Sequence, residues 1–425
     1  MKFTSVSGLR GTVTVPGDKS ISHRAVLFGS IAKGITRVEG FLQGADCLST
    51  ISCFRRLGID IENEAGIVTV HGKGLHGLQA PTEVLDCGNS GTTTRLISGI
   101  LSGQKFPVTL TGDASIQKRP MGRIIKPLTQ MGAQITSERG DGCAPLHIQG
   151  GALHGIHYQS PVASAQVKSA ILLAGLYAEG ETAVTEPTLS RNHTELMLKG
   201  FGADISSSGT TASIRPVSEL HGQGITVPGD ISSAAYFLAA GSLIPNSEIL
   251  IQNVGINPTR AGIITVCNAM GADLTLLNEH VVSGEPVADL LIRTSQLKAT
   301  TIEGAIIPTL IDELPVIALM ACFAEGTTII RDAAELKVKE SDRIQVMVDN
   351  LTAMGAHVEG TDDGMIIEGG HPLHGAVVDS HLDHRIAMTF AIAGKLASGE
   401  TEITGAECVN ISYPTYYQDM EMLQN

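Results

Sequence analysis

Five times along this chain the same motif returns: an amphipathic helix closed by glycine, one small or apolar residue, then a strand. Its copies are Phe54-Arg55-Arg56-Leu57-Gly58-Ile59-Asp60-Ile61, Gln130-Met131-Gly132-Ala133-Gln134-Ile135, Gly200-Phe201-Gly202-Ala203-Asp204-Ile205, Ala269-Met270-Gly271-Ala272-Asp273-Leu274 and Ala353-Met354-Gly355-Ala356-His357-Val358, about 70–85 residues apart. Glycine just past the last turn adopts the left-handed conformation that ends a helix, so a strand follows at once. Five copies imply a repeated supersecondary unit. Residues 416–423 read as a sixth helix whose strand is missing.

A second echo divides the repeats. Val15-Pro16-Gly17-Asp18-Lys19-Ser20-Ile21-Ser22-His23-Arg24 opens one apolar run, and Val227-Pro228-Gly229-Asp230-Ile231-Ser232 opens another without the lysine and arginine. Two lobes of three units each are expected. The first spans 15–227; the second comprises 1–14 plus 228–425, because the N-terminal strand is expected to pair with the second half. Two chain crossings, near 14–17 and 226–229, then form a double hinge suited to closure on a ligand. Two rigidly packed lobes are the alternative.

Composition narrows the class. With 425 residues, 43% hydrophobic, 48 glycines, 4% aromatics and no tryptophan, the chain reads as α/β or α+β with aliphatic cores. A net charge of −14 argues against nucleic acid as the main ligand but not against small anions held in a local cationic cleft. Seven scattered cysteines without a C-x-x-C suggest buried thiols rather than a disulfide framework or a zinc site. No apolar run has the length of a signal peptide or a membrane span, so a cytoplasmic protein is expected.

Each predicted helix start is ambiguous singly. At Lys19-Ser20-x-x-x-Arg24, a serine-capped helix with a solvated arginine competes with an anion site of backbone N–H groups and cations. Gly88-Asn89-Ser90-Gly91-Thr92 is either a flexible capped turn or a close backbone approach to an anion. Ser115 to Arg123 carries Lys118, Arg119 and Arg123, a solvated charge run or a binding loop. Ser164-Ala165-Gln166 and Ser190-Arg191-Asn192-His193 each cap a helix or present hydroxyl, amide and guanidinium to a ligand. Asp312, before the apolar helix 316–323, is a cap or a base. Lys339-Glu340-Ser341-Asp342-Arg343 is an ion-pair ladder or a proton-transfer carboxylate held between cations. Asp383-His384-Arg385 is a cap with a surface arginine or a further cation.

Taken together they are less ambiguous. Lys19, Arg24, Arg119, Arg191, Lys339, Arg343 and Arg385 all fall at helix starts, where the backbone dipole disfavours cations. An anionic partner resolves that conflict. The pattern predicts a cleft for multiply charged anions, with Asp312 and Glu340 as the acids placed for proton work.

In their order and spacing, Pro16-Gly17-Asp18-Lys19-Ser20-x-x-x-Arg24, Gly88-Asn89-Ser90-Gly91-Thr92, Lys118-Arg119-Pro120-Met121, Ser164-Ala165-Gln166, Lys339-Glu340-Ser341-Asp342-Arg343 and Asp383-His384-Arg385 resemble the signatures of the 5-enolpyruvylshikimate-3-phosphate synthase family, from about residue 12 to Ser412-Tyr413-Pro414. The resemblance implies a two-domain, inside-out, barrel-like α/β fold with three βαβαββ units per domain. It implies transfer of the enolpyruvyl group of phosphoenolpyruvate to the 5-hydroxyl of shikimate 3-phosphate by addition–elimination, with no metal or organic cofactor. Lys19, Ser20, Arg24, Ser164, Gln166, Arg191, Asp312 and Lys339 are then expected to hold shikimate 3-phosphate. Lys19, Gly91, Arg119, Gln166, Arg343 and Arg385 are expected to hold phosphoenolpyruvate. Asp312, Glu340 and Lys19 are the candidates for proton transfer, and a monomer is expected.

The chain departs from the family pattern in two places. Ala165 stands where many members carry a second serine, and Ile411 where many carry a lysine. Gly91 is alanine in some glyphosate-insensitive members, so inhibition by glyphosate, competitive with phosphoenolpyruvate, is expected. The related UDP-N-acetylglucosamine enolpyruvyl transferases are a poorer match: they place a reactive cysteine in the loop where Ser115 to Arg119 has none, and asparagine where Ser20 stands. A non-enzymatic repeat scaffold is the remaining alternative, but it gives no reason to load only one of the two Val-Pro-Gly-Asp turns with cations.

Overall fold

The structure is a computed structural model and describes residues 1–424. Among these, the strands form five sheets of four, one of three and one of two. One sheet shows the repeat plainly. Leu85–Asp86 runs parallel to Pro107–Thr111, which pairs antiparallel with Leu146–Gln149, itself antiparallel to Gln134–Ser137. Parallel neighbours cannot be joined by a hairpin, so the helix Gly91–Ser102 makes the crossover. The order is repeated in the sheets built on Thr182–Thr185 and Thr327–Ile330. The five closing glycines, Gly58, Gly132, Gly202, Gly271 and Gly355, have φ of 84, 111, 93, 77 and 91°. Each ends its helix in the left-handed region, as the motif requires.

The remaining sheets are completed by strands distant in sequence. Gly224–Thr226 lies parallel to Lys33–Glu39, and Arg10–Val13 parallel to Glu248–Gly255. Lys2–Thr4 pairs antiparallel with Glu400–Thr404, so the unit that ends with the helix Tyr416–Met422 receives a strand from the N-terminus. Helices form the interior: Ile231–Leu243 is buried from Ile231 to Ser242, and Leu314–Cys322 throughout. The strands alternate, as Leu146–Gln149 does, with one face packed inward and one in solvent. A helix apolar on every side has no stable place except a core, which explains the inside-out layering.

The chain divides into two compact units, each with its own hydrophobic core. The first unit is Gly17–Val227 with Val282–Glu285; the second is Met1–Pro16, Pro228–Val281 and the chain from Pro286 onward. The divisions fall after Pro16 and Val227. The short Val282–Glu285 turn groups with the first unit because Ser283 Oγ accepts the Thr226 N–H at 3.0 Å and Glu285 meets His193 Nδ1 at 2.7 Å. Six cysteines are buried, Cys143 is half-buried, and none is in a disulfide among the described residues. No single helix among those residues is long and apolar enough to cross a membrane.

Candidate active site

In the first unit the helix Lys19–Ile31 is capped by Asp18, not by a serine: its carboxylate accepts the Ile21 N–H at 2.9 Å. Aspartate serves because the β-region backbone before a helix brings a short side-chain oxygen to an otherwise orphaned N–H. Ser20 is left in the first turn, and the Lys19 ammonium pairs with Asp46. Arg24 is not a surface arginine. It is buried and donates to Thr194 Oγ1 at 2.7 Å, Ser169 Oγ at 3.0 Å and Ser20 O at 3.0 Å. Burial lowers its pKa to about 10, against the opposing pull of Glu195 and with a further push from neighbouring Arg191. The charge persists at neutral pH and is held in fixed geometry.

The glycine-rich turn is equally fixed. Ser90 caps Gly91–Ser102 by accepting the Thr93 N–H at 3.0 Å. A buried chain then runs from Thr93 Oγ1 to Thr50 Oγ1 (2.7 Å) and on to His23 Nδ1 (2.7 Å), tying three helices together. Beside it, Arg95 donates to Gln166 Oε1, and the Gln166 amide donates to Thr92 Oγ1 at 2.9 Å. Arg119 donates to Asn89 Oδ1 at 3.2 Å and Ser115 Oγ at 3.1 Å. A Cβ on Gly91 would stand 3.0 Å from Arg95 Nη1 and 3.3 Å from Arg119 Nη1. Two guanidinium groups therefore converge on a position where the backbone is bare, which suits a carboxylate or phosphate.

Ser164 caps Ala165–Gly175, accepting the Val167 N–H at 3.5 Å, and places Gln166 in the first turn. Further along that helix, fully buried Lys168 pairs with Glu186 at 3.1 Å and Glu195 at 2.8 Å and donates to Ser190 O at 3.3 Å. Glu186 Oε2 accepts the Ser190 N–H and Oγ–H, so the turn carrying Arg191 is pinned from below.

In the second unit Arg343 is the hub. Its side chain is 1% exposed, so carboxylates must supply what water cannot. Nε and Nη2 donate to Asp383 (2.8 and 3.2 Å), Nη2 to Glu340 Oε2 (2.7 Å) and Nη1 to Asp312 Oδ1 (3.3 Å). Burial works against its charge, but Asp383 and Glu340 outweigh it and raise the pKa. Burial likewise disfavours the Asp383 carboxylate, yet Arg343 holds it below its ordinary range. Lys339 Nζ lies 3.1 Å from Asp312 Oδ1, and Arg385 donates to Asp312 O at 3.3 Å. For Arg385 too burial opposes the charge and nearby groups, Asp312 foremost, raise the pKa.

The structure thus gathers the expected residues into two groups, each within one unit. Lys19, Ser20, Arg24, Gly91, Arg119, Ser164, Gln166 and Arg191 belong to the first; Asp312, Lys339, Glu340, Arg343 and Arg385 to the second. Asp383 is more than a cap: besides accepting the Arg385 N–H it neutralises Arg343. Ile411 packs against the second core and offers no cation.

Three participants escape a reading of the sequence. Arg95, four residues after Gly91, was legible from helical spacing. Lys168 left a weaker trace, a cation at the head of an apolar helix. Arg260 left none: it reaches Asp230 at 2.9 Å and Ser232 at 2.8 Å, supplying the second Val-Pro-Gly-Asp turn with the cation its own sequence lacks. Ser232 in turn donates to Glu313, beside Asp312.

Comparison with known proteins places these groups in context. The family described as EPSP synthase (3-phosphoshikimate 1-carboxyvinyltransferase) matches residues 3–420. A 3-phosphoshikimate 1-carboxyvinyltransferase of Brevibacillus brevis is 59% identical over 417 residues, 98% of each chain. One from a Thermoanaerobacter species is 57% identical over 415 residues, again 98% of each. The solved structure of the EPSP synthase of Acinetobacter baumannii is similar with a TM-score of 0.89 at 49% identity, over 99% of this chain and 98% of that one.

Proposed function

The chain belongs to the EPSP synthase (3-phosphoshikimate 1-carboxyvinyltransferase) family, and from that premise we propose how its residues divide the work. The reaction is a transferase step of the shikimate pathway, leading to aromatic amino acids. It joins phosphoenolpyruvate to shikimate 3-phosphate and releases phosphate.

Shikimate 3-phosphate takes Lys19, Ser20, Arg24, Ser164, Gln166 and Arg191 from the first unit and Asp312 and Lys339 from the second. Phosphoenolpyruvate takes Lys19, Gly91, Arg119 and Gln166, joined by Arg95, with Arg343 and Arg385. Planar guanidinium forks fit its carboxylate and phosphate bidentately. Addition forms a bond from the 5-oxygen of the shikimate ring to C2 of phosphoenolpyruvate, the carbon that bears the phosphate. The hydroxyl loses its proton and the methylene end gains one. Elimination removes a proton from the new methyl group and protonates the departing phosphate. Glu340 and Asp312 carry these transfers with Lys19 assisting, since a proton carrier must lie within hydrogen-bond reach of the reacting atoms.

The observation that carries this reading is Arg343 bridging Asp312 and Glu340, because it sets two carboxylates among anion-binding cations. Because each unit contributes residues to both substrates, we also propose that the crossings at Pro16–Gly17 and Val227–Pro228 act as a double hinge, and that closure excludes water. The protein acts in the cytoplasm as a monomer in this reading.

Phosphate release is the test. Release on mixing the protein with phosphoenolpyruvate and shikimate 3-phosphate supports the proposal. Release only with UDP-N-acetylglucosamine as acceptor supports the sister activity, and none with either acceptor overturns both.

A further inference from the structure

The repeat places a polar cross-strand pair at one recurring position, where the first residue after the closing glycine and its neighbour opens a strand. In three units the pairs are Asp60 with His71, Gln134 with Gln149 and Asp204 with Arg215. The unit after Gly355 differs. There His357 opens the strand opposite Glu368, and a second imidazole, His371, folds back beside both. The two rings stack with centroids 3.7 Å apart, and Glu368 lies 3.6 Å from His357 and 3.5 Å from His371. One ligand atom from each of the three lies within 4.8 Å of the others.

The turn that returns His371 is built into the fold. The Gly369 N–H donates to Gly326 O at 2.9 Å and the Gly370 N–H to Cys322 O at 3.0 Å. Gly370 has φ of 86°, and Pro372 follows. The donors are thus presented by paired strands and an anchored turn, and stay open to solvent on the sheet's outer side.

We propose that His357, Glu368 and His371 bind one divalent transition-metal ion of the zinc class, with water completing the shell. Two imidazoles and one carboxylate match the donor set that such ions prefer over calcium or magnesium. Tetrahedral bonds of about 2.0–2.1 Å place ligand atoms about 3.4 Å apart, so binding requires the two stacked imidazoles to swing out of their stack until each ring plane contains the ion, a movement open to side chains at the surface. The ion would clasp the Gly369–Pro372 turn to the strand His357–Gly360. Asp60, Glu62 and His71 form a second three-ligand group, but with a single imidazole it is the weaker match for such an ion.

The test uses the full chain stripped of metal and titrated with Co²⁺, followed by its visible absorption, then displaced with Zn²⁺. The expected result is one saturating equivalent, weakened about tenfold or more by His357→Ala or His371→Ala and unaffected by His71→Ala. All three positions are solvent-facing, and matched thermal unfolding without metal would confirm intact variants. Absence of saturable binding, binding indifferent to His357→Ala and His371→Ala, or binding lost only in His71→Ala would each overturn the proposal.

Discussion

At the scale of the residue, the same side chain is read differently once its partners are known. Glu340 in sequence is one charge in an alternating ladder; in the structure it is 2.7 Å from a buried guanidinium. Glu340→Ala is expected to keep shikimate 3-phosphate binding, measured by calorimetry, while turnover falls by about 10²–10⁴, the contribution of a proton-transfer group. Unchanged turnover would remove Glu340 from the chemistry. Gly91 makes a different argument, one of space. A methyl group there meets Arg95 and Arg119 inside ordinary contact distance. Gly91→Ala is expected to raise the KM for phosphoenolpyruvate and to weaken glyphosate inhibition, while the KM for shikimate 3-phosphate changes little. Steady-state kinetics with each substrate varied in turn separates these effects.

At the scale of the element, helix starts hold the chemistry because other elements hold the helix starts. Lys168 lies in Ala165–Gly175, two residues beyond Gln166, and its two carboxylate partners come from elsewhere in the unit. Lys168→Met keeps the bulk of the side chain but leaves Glu186 and Glu195 buried without their cation. A loss of about 3–5 kcal/mol in urea unfolding is expected, as when one member of a buried ion pair is removed. Where the protein still folds, the KM for shikimate 3-phosphate should rise, because Arg191 sits on the turn that Glu186 holds. A stability within 1 kcal/mol of the parent would show that the triad is dispensable.

At the scale of the molecule, two properties belong to no single element. One is the response to acid. Burial lowers the pKa of His23 from 6.5 to about 3, so the folded protein keeps the ring neutral while the unfolded chain protonates it. The sign follows: this contribution is complete above pH 6.5 and is lost as the pH falls from there towards 3, by at most about 1.4 kcal/mol per pH unit. Asp383, whose pKa is lowered, acts in the same direction below the ordinary carboxylate range. Urea unfolding at pH 7.5 and 5.5 is expected to show lower stability at the lower pH, and His23→Asn to flatten that difference. The other is the closure proposed for the double hinge. If the two crossings are hinges, X-ray scattering should show a smaller radius of gyration when shikimate 3-phosphate and glyphosate are added together. An unchanged radius would argue for rigid lobes.

What is local and periodic could be read along the chain. Glycine closure of five helices, the six-fold repeat and the loading of helix starts with cations all follow from spacing along one chain, because left-handed caps and helical faces are short-range properties. The family's signatures were legible for the same reason, being short runs of fixed order. Tertiary structure alone decided the partners. Nothing near Arg260 announces Asp230, nothing near Lys168 announces Glu186, and nothing in Asp383-His384-Arg385 says that the aspartate will neutralise Arg343. Those pairings arise because burial strips charges of water and leaves them to whichever opposite charge the fold brings within reach.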